Sequence, residues 1–157
     1  MNKYYNITPD EFKNITEDDL LFITFPGRMG DEYGCTLVIK NESEYSIYRI
    51  EDIHVFGIDV YNQFPGLSEA LKNQEDKESD KYKAIYMGYG NLLFVNKSIY
   101  DDYKKYLDEI VNREINELKE NNEYDKSLED YYPVMLCFKK WETALNEYLK
   151  DNGFTIK

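Results

Sequence analysis

The chain is poor in the residues that carry most catalytic and metal chemistry. It holds one histidine, His54, and two cysteines, Cys35 and Cys137, in 157 residues. A Ser-His-Asp or Cys-His pair would have to use His54. That residue stands in the apolar run Ile53-His54-Val55-Phe56, where a histidine is more often structural than catalytic. No CxxC, HExxH, GxSxG, EF-hand or Walker pattern occurs, so neither a metal nor a cofactor is expected. Both cysteines lie inside apolar segments and read as buried free thiols in a reducing compartment. No apolar run approaches the roughly 18 residues of a membrane span. Met1 to Asn6 lacks the apolar stretch of a signal peptide. The expectation is a cytoplasmic protein with no membrane association, in which the sequons at Asn6, Asn14, Asn41 and Asn96 carry no weight.

Bases are scarce as well. Lys and Arg number 19 against 31 Asp and Glu, a net charge of −12. Residues 1–60 hold 12 of the acids and five bases, a net −7 in that stretch alone. Binding to nucleic-acid phosphate needs a basic surface and is disfavoured. A nucleic-acid mimic would need acids in regular double rows, whereas here lysines interrupt them along the longest helix. A basic protein partner, by contrast, would be attracted and steered in.

What the chain has in excess is tyrosine, 16 residues of it. Tyrosine offers a rigid apolar face with a polar tip, which suits protein interfaces. Asn, Lys and Ile are frequent too, so codon bias accounts for part of the excess.

At this length one domain, 1–157, is expected, large enough to fold on its own core. The pattern predicts an α+β fold: a single antiparallel sheet, a meander, with two long C-terminal amphipathic helices packed on it. The meander is Leu20–Phe25, Cys35–Lys40 and Glu44–Ile50. Leu20–Phe25 is apolar at nearly every position, as in a central strand buried on both faces. In Glu44–Ile50, Tyr45, Ile47 and Arg49 share one face and Glu44, Ser46, Tyr48 and Ile50 the other, which predicts a half-exposed strand. Ala84–Met87 and Asn91–Val95, joined at Gly88-Tyr89-Gly90, predict two more strands. Thr8-Pro9-Asp10-Glu11 predicts a short capped helix. Leu67 to about Lys81 predicts a polar helix with Ser68 as cap. Ser98 is expected to cap a long helix reaching Glu120, with Ile99, Tyr103, Leu107, Ile110, Val111, Ile115 and Leu118 as its apolar stripe. A last helix is expected over Pro133–Asn152. The predicted core includes Phe22, Leu37, Ile39, Leu107, Ile110, Phe138, Trp141 and Leu145.

The loop Pro26–Gly34 has three glycines but no Lys-Ser/Thr pair after the last, and its Asp31 and Glu32 would repel a phosphate, so a hairpin loop is expected there. Two function classes survive. The first is a non-enzymatic acidic binding protein that neutralises a basic partner protein, as small immunity and antitoxin proteins do. Its expected contact residues are Arg28, Asp31, Glu32, Tyr33, Glu44, Tyr45 and Tyr48, with carboxylates at the rim and tyrosines at the centre. The second is a small enzyme with an unfamiliar site using His54, Arg28 and carboxylates.

Overall fold

The computed structural model describes residues 4–25, 35–50 and 63–156. The chain folds as expected into an α+β architecture, and the sheet is mixed rather than a strict meander. Strands β2 (Leu20–Phe25), β3 (Cys35–Asn41) and β4 (Glu44–Ile50) form the antiparallel meander. The hairpin β5 (Tyr82–Tyr86) and β6 (Leu92–Asn96) joins the other side of β2, through β6. With β1 (Tyr4–Asn6), the order among the described residues is β1-β4-β3-β2-β6-β5.

Both ends of the chain share the remaining edge of β4. β1 (Tyr4–Asn6) runs parallel to its second half, Ile47 to Arg49, and β7 (Thr155–Ile156) runs parallel to its start, at Glu44 and Tyr45. An open strand edge invites pairing with other chains, and here two short strands laid end to end cover it. β4 is more buried than its alternation predicts because both faces are packed: Tyr45 and Ile47 join the core on one face and Ile50 that on the other.

The sheet carries helices on both faces. On one lie α3 (Lys97–Glu120) and α4 (Tyr132–Asp151), which bury Tyr103, Leu107, Trp141 and Leu145 against Phe22, Val38 and Ile47. On the other lie the short α1 (Pro9–Lys13) and α2 (Pro65–Lys72), whose Phe12, Phe64 and Leu67 meet Leu20, Ile23 and Leu37. β2 serves both layers through a register irregularity between Leu20 and Phe22. Strict alternation would put Leu21 and Phe22 on opposite faces. The extra residue of a bulge lets both point at α3 and α4 while Leu20 and Ile23 point the other way.

Several expected features shift for local reasons. Asn96, not Ser98, caps α3, its side chain accepting from the Ser98 N–H at 3.0 Å. The helix expected to reach Lys81 stops at Lys72. Beyond it, Lys77 to Ser79 runs beside β5: the Ala84 N–H donates to the Lys77 carbonyl and the Ser79 N–H to that of Tyr82. Ser68 does not cap this helix. Its Leu67 N–H instead donates to the Glu17 carboxylate at 3.2 Å.

The acids between Asp10 and Asp19 are thus largely structural. Glu11 completes the capping box with Thr8, Glu17 caps α2, Asp18 pairs with Lys81 at 2.6 Å, and Asp19 accepts from the Thr16 hydroxyl. Of the predicted core, Phe22, Leu37, Leu107, Ile110, Trp141 and Leu145 are buried, and Ile39 is half-buried near the hairpin turn. Phe138 is the exception: it is 53% exposed. It follows Cys137, which is buried, and one residue along a helix turns the side chain by about 100°.

Candidate protein-binding surface

Of the residues expected to form one patch, Glu44, Tyr45 and Tyr48 are among the described residues. Arg28, Asp31, Glu32 and Tyr33, and the lone His54, fall outside the described residues. Glu44 is exposed at the start of β4, beside Thr155 of β7. Tyr45 is buried: its ring meets that of Phe154 edge-on at 4.8 Å, and burial, with Tyr148 nearby, pushes its hydroxyl up to about pKa 12. Tyr48 belongs to the opposite face of the sheet, half-buried and tilted against Tyr5 at 6.2 Å. A partner touching the surface cannot reach Tyr45, and no flat patch holds both rings.

A different part of the chain exposes aromatic side chains on one side of the protein. It is built from the β5–β6 turn and the first two turns of α4. At the turn, Gly88, Tyr89 and Gly90 all have positive φ, at 85°, 53° and 80°. The two glycines adopt this conformation freely, but the tyrosine does so at a cost of about 1–2 kcal/mol. The turn sits on α4, since a Cβ on Gly88 would come within 3.2 Å of Val134. Tyr89 is therefore held with its ring 72% exposed. The hydroxyl of Tyr131 lies close enough to interact with that of Tyr89, and this interaction raises the Tyr131 pKa. Tyr131 is 40% exposed at the N-cap of α4, and Phe138 follows seven residues on, two turns along the same helix face.

An acidic connector flanks this row. Residues 121–131 carry Glu123, Asp125, Glu129 and Asp130 against the single base Lys126, and all five are exposed. The connector is firmly placed. Asn122 takes a left-handed φ of 56° to end α3, and the Glu123 N–H returns to the Leu118 carbonyl at 2.8 Å. Asp125 caps the single 3-10 turn Lys126–Leu128, and its bonds to Ser127 hold its carboxyl below the usual range. The Asp125 N–H donates to the Tyr132 hydroxyl at 2.9 Å, while the Tyr124 and Tyr132 rings lie 5.1 Å apart. Leu128, 42% exposed, closes the row at this end.

Sequence reasoning missed this surface because it assigned Phe138 to the core and read Gly88-Tyr89-Gly90 only as the turn between two strands. A signal was present in Tyr89, a tyrosine between two glycines at a tight turn.

Other chemistry is sparse. Cys35 and Cys137 are buried and not joined in a disulfide, and burial raises the Cys137 pKa. Among the described residues no group of three or more His, Cys, Asp or Glu is arranged to hold a metal ion, and no helix is long and apolar enough to cross a membrane. No protein-family model, curated protein or solved structure matches this chain.

Proposed function

We propose that this protein acts by binding a basic partner protein, through an aromatic row of Tyr89, Tyr131 and Phe138 rimmed by the acids of residues 121–131. The observation that carries the reading is Tyr89, a large aromatic residue left 72% exposed on a backbone conformation that disfavours it. A glycine or asparagine there would fold more easily, so folding gives no reason for a tyrosine. Exposed aromatic anchors inside a charged rim are the usual anatomy of a tight protein interface. The net charge of −12 selects for a basic partner and against a second copy of the chain. Neutralisation of a basic toxin-like protein is the kind of activity this fits. Asp31 and Glu32 belong to the same reading as long-range steering charges, with no contact required.

The test places a photo-crosslinking amino acid at Phe138, and separately at Lys13 on the opposite layer, in the native host. The expected result is a basic protein captured at Phe138 and not at Lys13. Its affinity should fall with rising salt, and by at least about tenfold for Phe138→Ala. Asp31→Lys with Glu32→Lys should slow association and flatten its salt dependence. A partner whose affinity is indifferent to Phe138→Ala and Tyr89→Asn would overturn the surface. A turnover abolished by His54→Ala or Arg28→Ala, with no salt-sensitive partner, would replace binding by catalysis.

A further inference from the structure

Among the described residues, the layer holding α1 and α2 leaves a cleft over part of the sheet. α2 is eight residues long, about 12 Å of helix, and it ends before the last row of the strands beneath it. That row crosses three strands: Phe25 of β2 pairs with Leu92 of β6, which pairs with Tyr86 of β5. Gly90 adds no side chain above it. The result is a cleft of about 550 Å³ whose apolar floor is this row and whose back wall is Leu71. The volume falls in the range of small-molecule sites, about 300–1,000 Å³.

The rim is built by the turn after α2. The Asn73 side chain accepts from the Glu75 N–H at 3.3 Å and donates to the Glu78 carbonyl at 3.2 Å, so it ties both ends of the turn together. Glu75 and Asp76 stand exposed on this rim, and the described residues give neither an ion pair. The one base of the rim, Lys77, is turned back: its ammonium donates to the Leu71 carbonyl at 2.7 Å, at the C-terminal end of α2. Tyr86, 53% exposed, supplies an aromatic wall.

We infer that this cleft is a binding site for an organic cation, an amine or guanidinium carried on an apolar body. The body would lie on Phe25, Leu92 and Ala84. The positive group would meet the carboxylates of Glu75 and Asp76 and the face of Tyr86, which attracts cations through its ring quadrupole. The cation has two sources, a free amine or a Lys or Arg side chain on a peptide. The peptide has an added foothold, because Tyr86 follows the stretch of β5 covered by Lys77–Ser79. Ala84 points its N–H outward to Lys77, and Tyr86, two residues on, directs its backbone the same way. The cleft and the Phe138 surface share the β5–β6 turn but lie on opposite faces of the sheet, and neither reading depends on the other.

Amide NMR titrations of the purified chain test this with four probes: phenethylamine, the neutral 2-phenylethanol, the anionic 3-phenylpropionate, and the blocked peptide acetyl-Val-Arg-Val-amide. Phenethylamine should give saturable shifts at Leu71, Glu75, Asp76, Ala84 and Tyr86 with a dissociation constant of about 1 mM. Glu75→Gln and Asp76→Asn should each weaken it by up to about fivefold. Tyr86→Ala should weaken it while leaving the fold intact, as judged by an unchanged amide spectrum elsewhere. Tighter binding of the peptide, with its largest shift at the Tyr86 amide, supports the site and assigns it to a partner's side chain. Tighter binding of phenethylamine supports it and assigns it to a free amine. Equal binding of 2-phenylethanol or of 3-phenylpropionate, or no saturable shift with either cation, overturns the inference.

Discussion

Four residues show how burial and exposure divide the aromatic side chains. Trp141 is 7% exposed, and its carbonyl accepts from the Tyr103 hydroxyl at 2.8 Å. Trp141→Ala should cost about 3–5 kcal/mol in a reversible denaturant melt. Tyr103→Phe removes only the buried hydroxyl and should cost about 0.5–1.5 kcal/mol, the ring keeping its edge-on contact with Phe22 at 4.7 Å. Phe138, three residues before Trp141 on the same helix, lies half in solvent. Its replacement by Ala should change stability by no more than about 0.5 kcal/mol, so any larger functional effect would report contact with a partner. Tyr89→Asn should be neutral or slightly stabilising, since asparagine tolerates positive φ better than tyrosine. A loss above about 1 kcal/mol would show that the Tyr89 ring supports the fold, and would remove the reason for assigning it to an interface.

Elements here depend on groups distant in sequence. α2 has no side-chain cap of its own, and Glu17 supplies it from the loop before β2. Gly66 makes room for that cap: a Cβ there would lie 2.6 Å from the Glu17 carboxylate and 3.1 Å from the Lys81 Cβ. Gly66→Ala should therefore displace Glu17 and cost about 0.5–2 kcal/mol, the worth of a helix cap, despite alanine's better helix propensity. A melt showing stabilisation would mean that Glu17 moves aside freely. At the other end of the chain, Phe154 holds the two-residue strand β7 in place by packing on Tyr45. Phe154→Ala should lose that contact and free the start of the β4 edge. The expected signs are a lower melting midpoint and faster amide exchange at Glu44 and Tyr45, with a greater tendency to aggregate.

At the scale of the molecule, both layers contain phenols that burial keeps protonated. Burial pushes the Tyr45 hydroxyl up to about 12 and holds those of Tyr103 and Tyr82 well above their usual value, the latter also through Glu17 and Asp18. Below about pH 10 these groups are protonated in the folded and the unfolded chain alike, and their stabilisation is complete. Above it the unfolded chain loses protons that the folded chain retains, so stability falls as the pH rises toward 12 and beyond. Phenolate absorbance should rise in two stages, exposed tyrosines first and the buried ones together with cooperative unfolding. A single reversible stage with no loss of helix would contradict the burial. The α+β class, the three-strand meander and the positions of α3 and α4 could all be read from the chain alone. Each rests on periodicity within one segment, and apolar faces declare themselves locally. Helices at α1 and α2 could be read too, α1 from its local capping box, but not their place as a second layer, because both are short and α2's cap and the contacts of both come from elsewhere. Nor could the fate of individual aromatics. Tyr45 and Phe138 have the same local signature, an aromatic residue in an amphipathic element. One is buried because Phe154 returns from the far end of the chain to cover it, and the other is exposed because nothing among the described residues does. Composition and periodicity determined the charge and the main elements; only the tertiary arrangement decided which rings face water, since that depends on what other segments bring to each face.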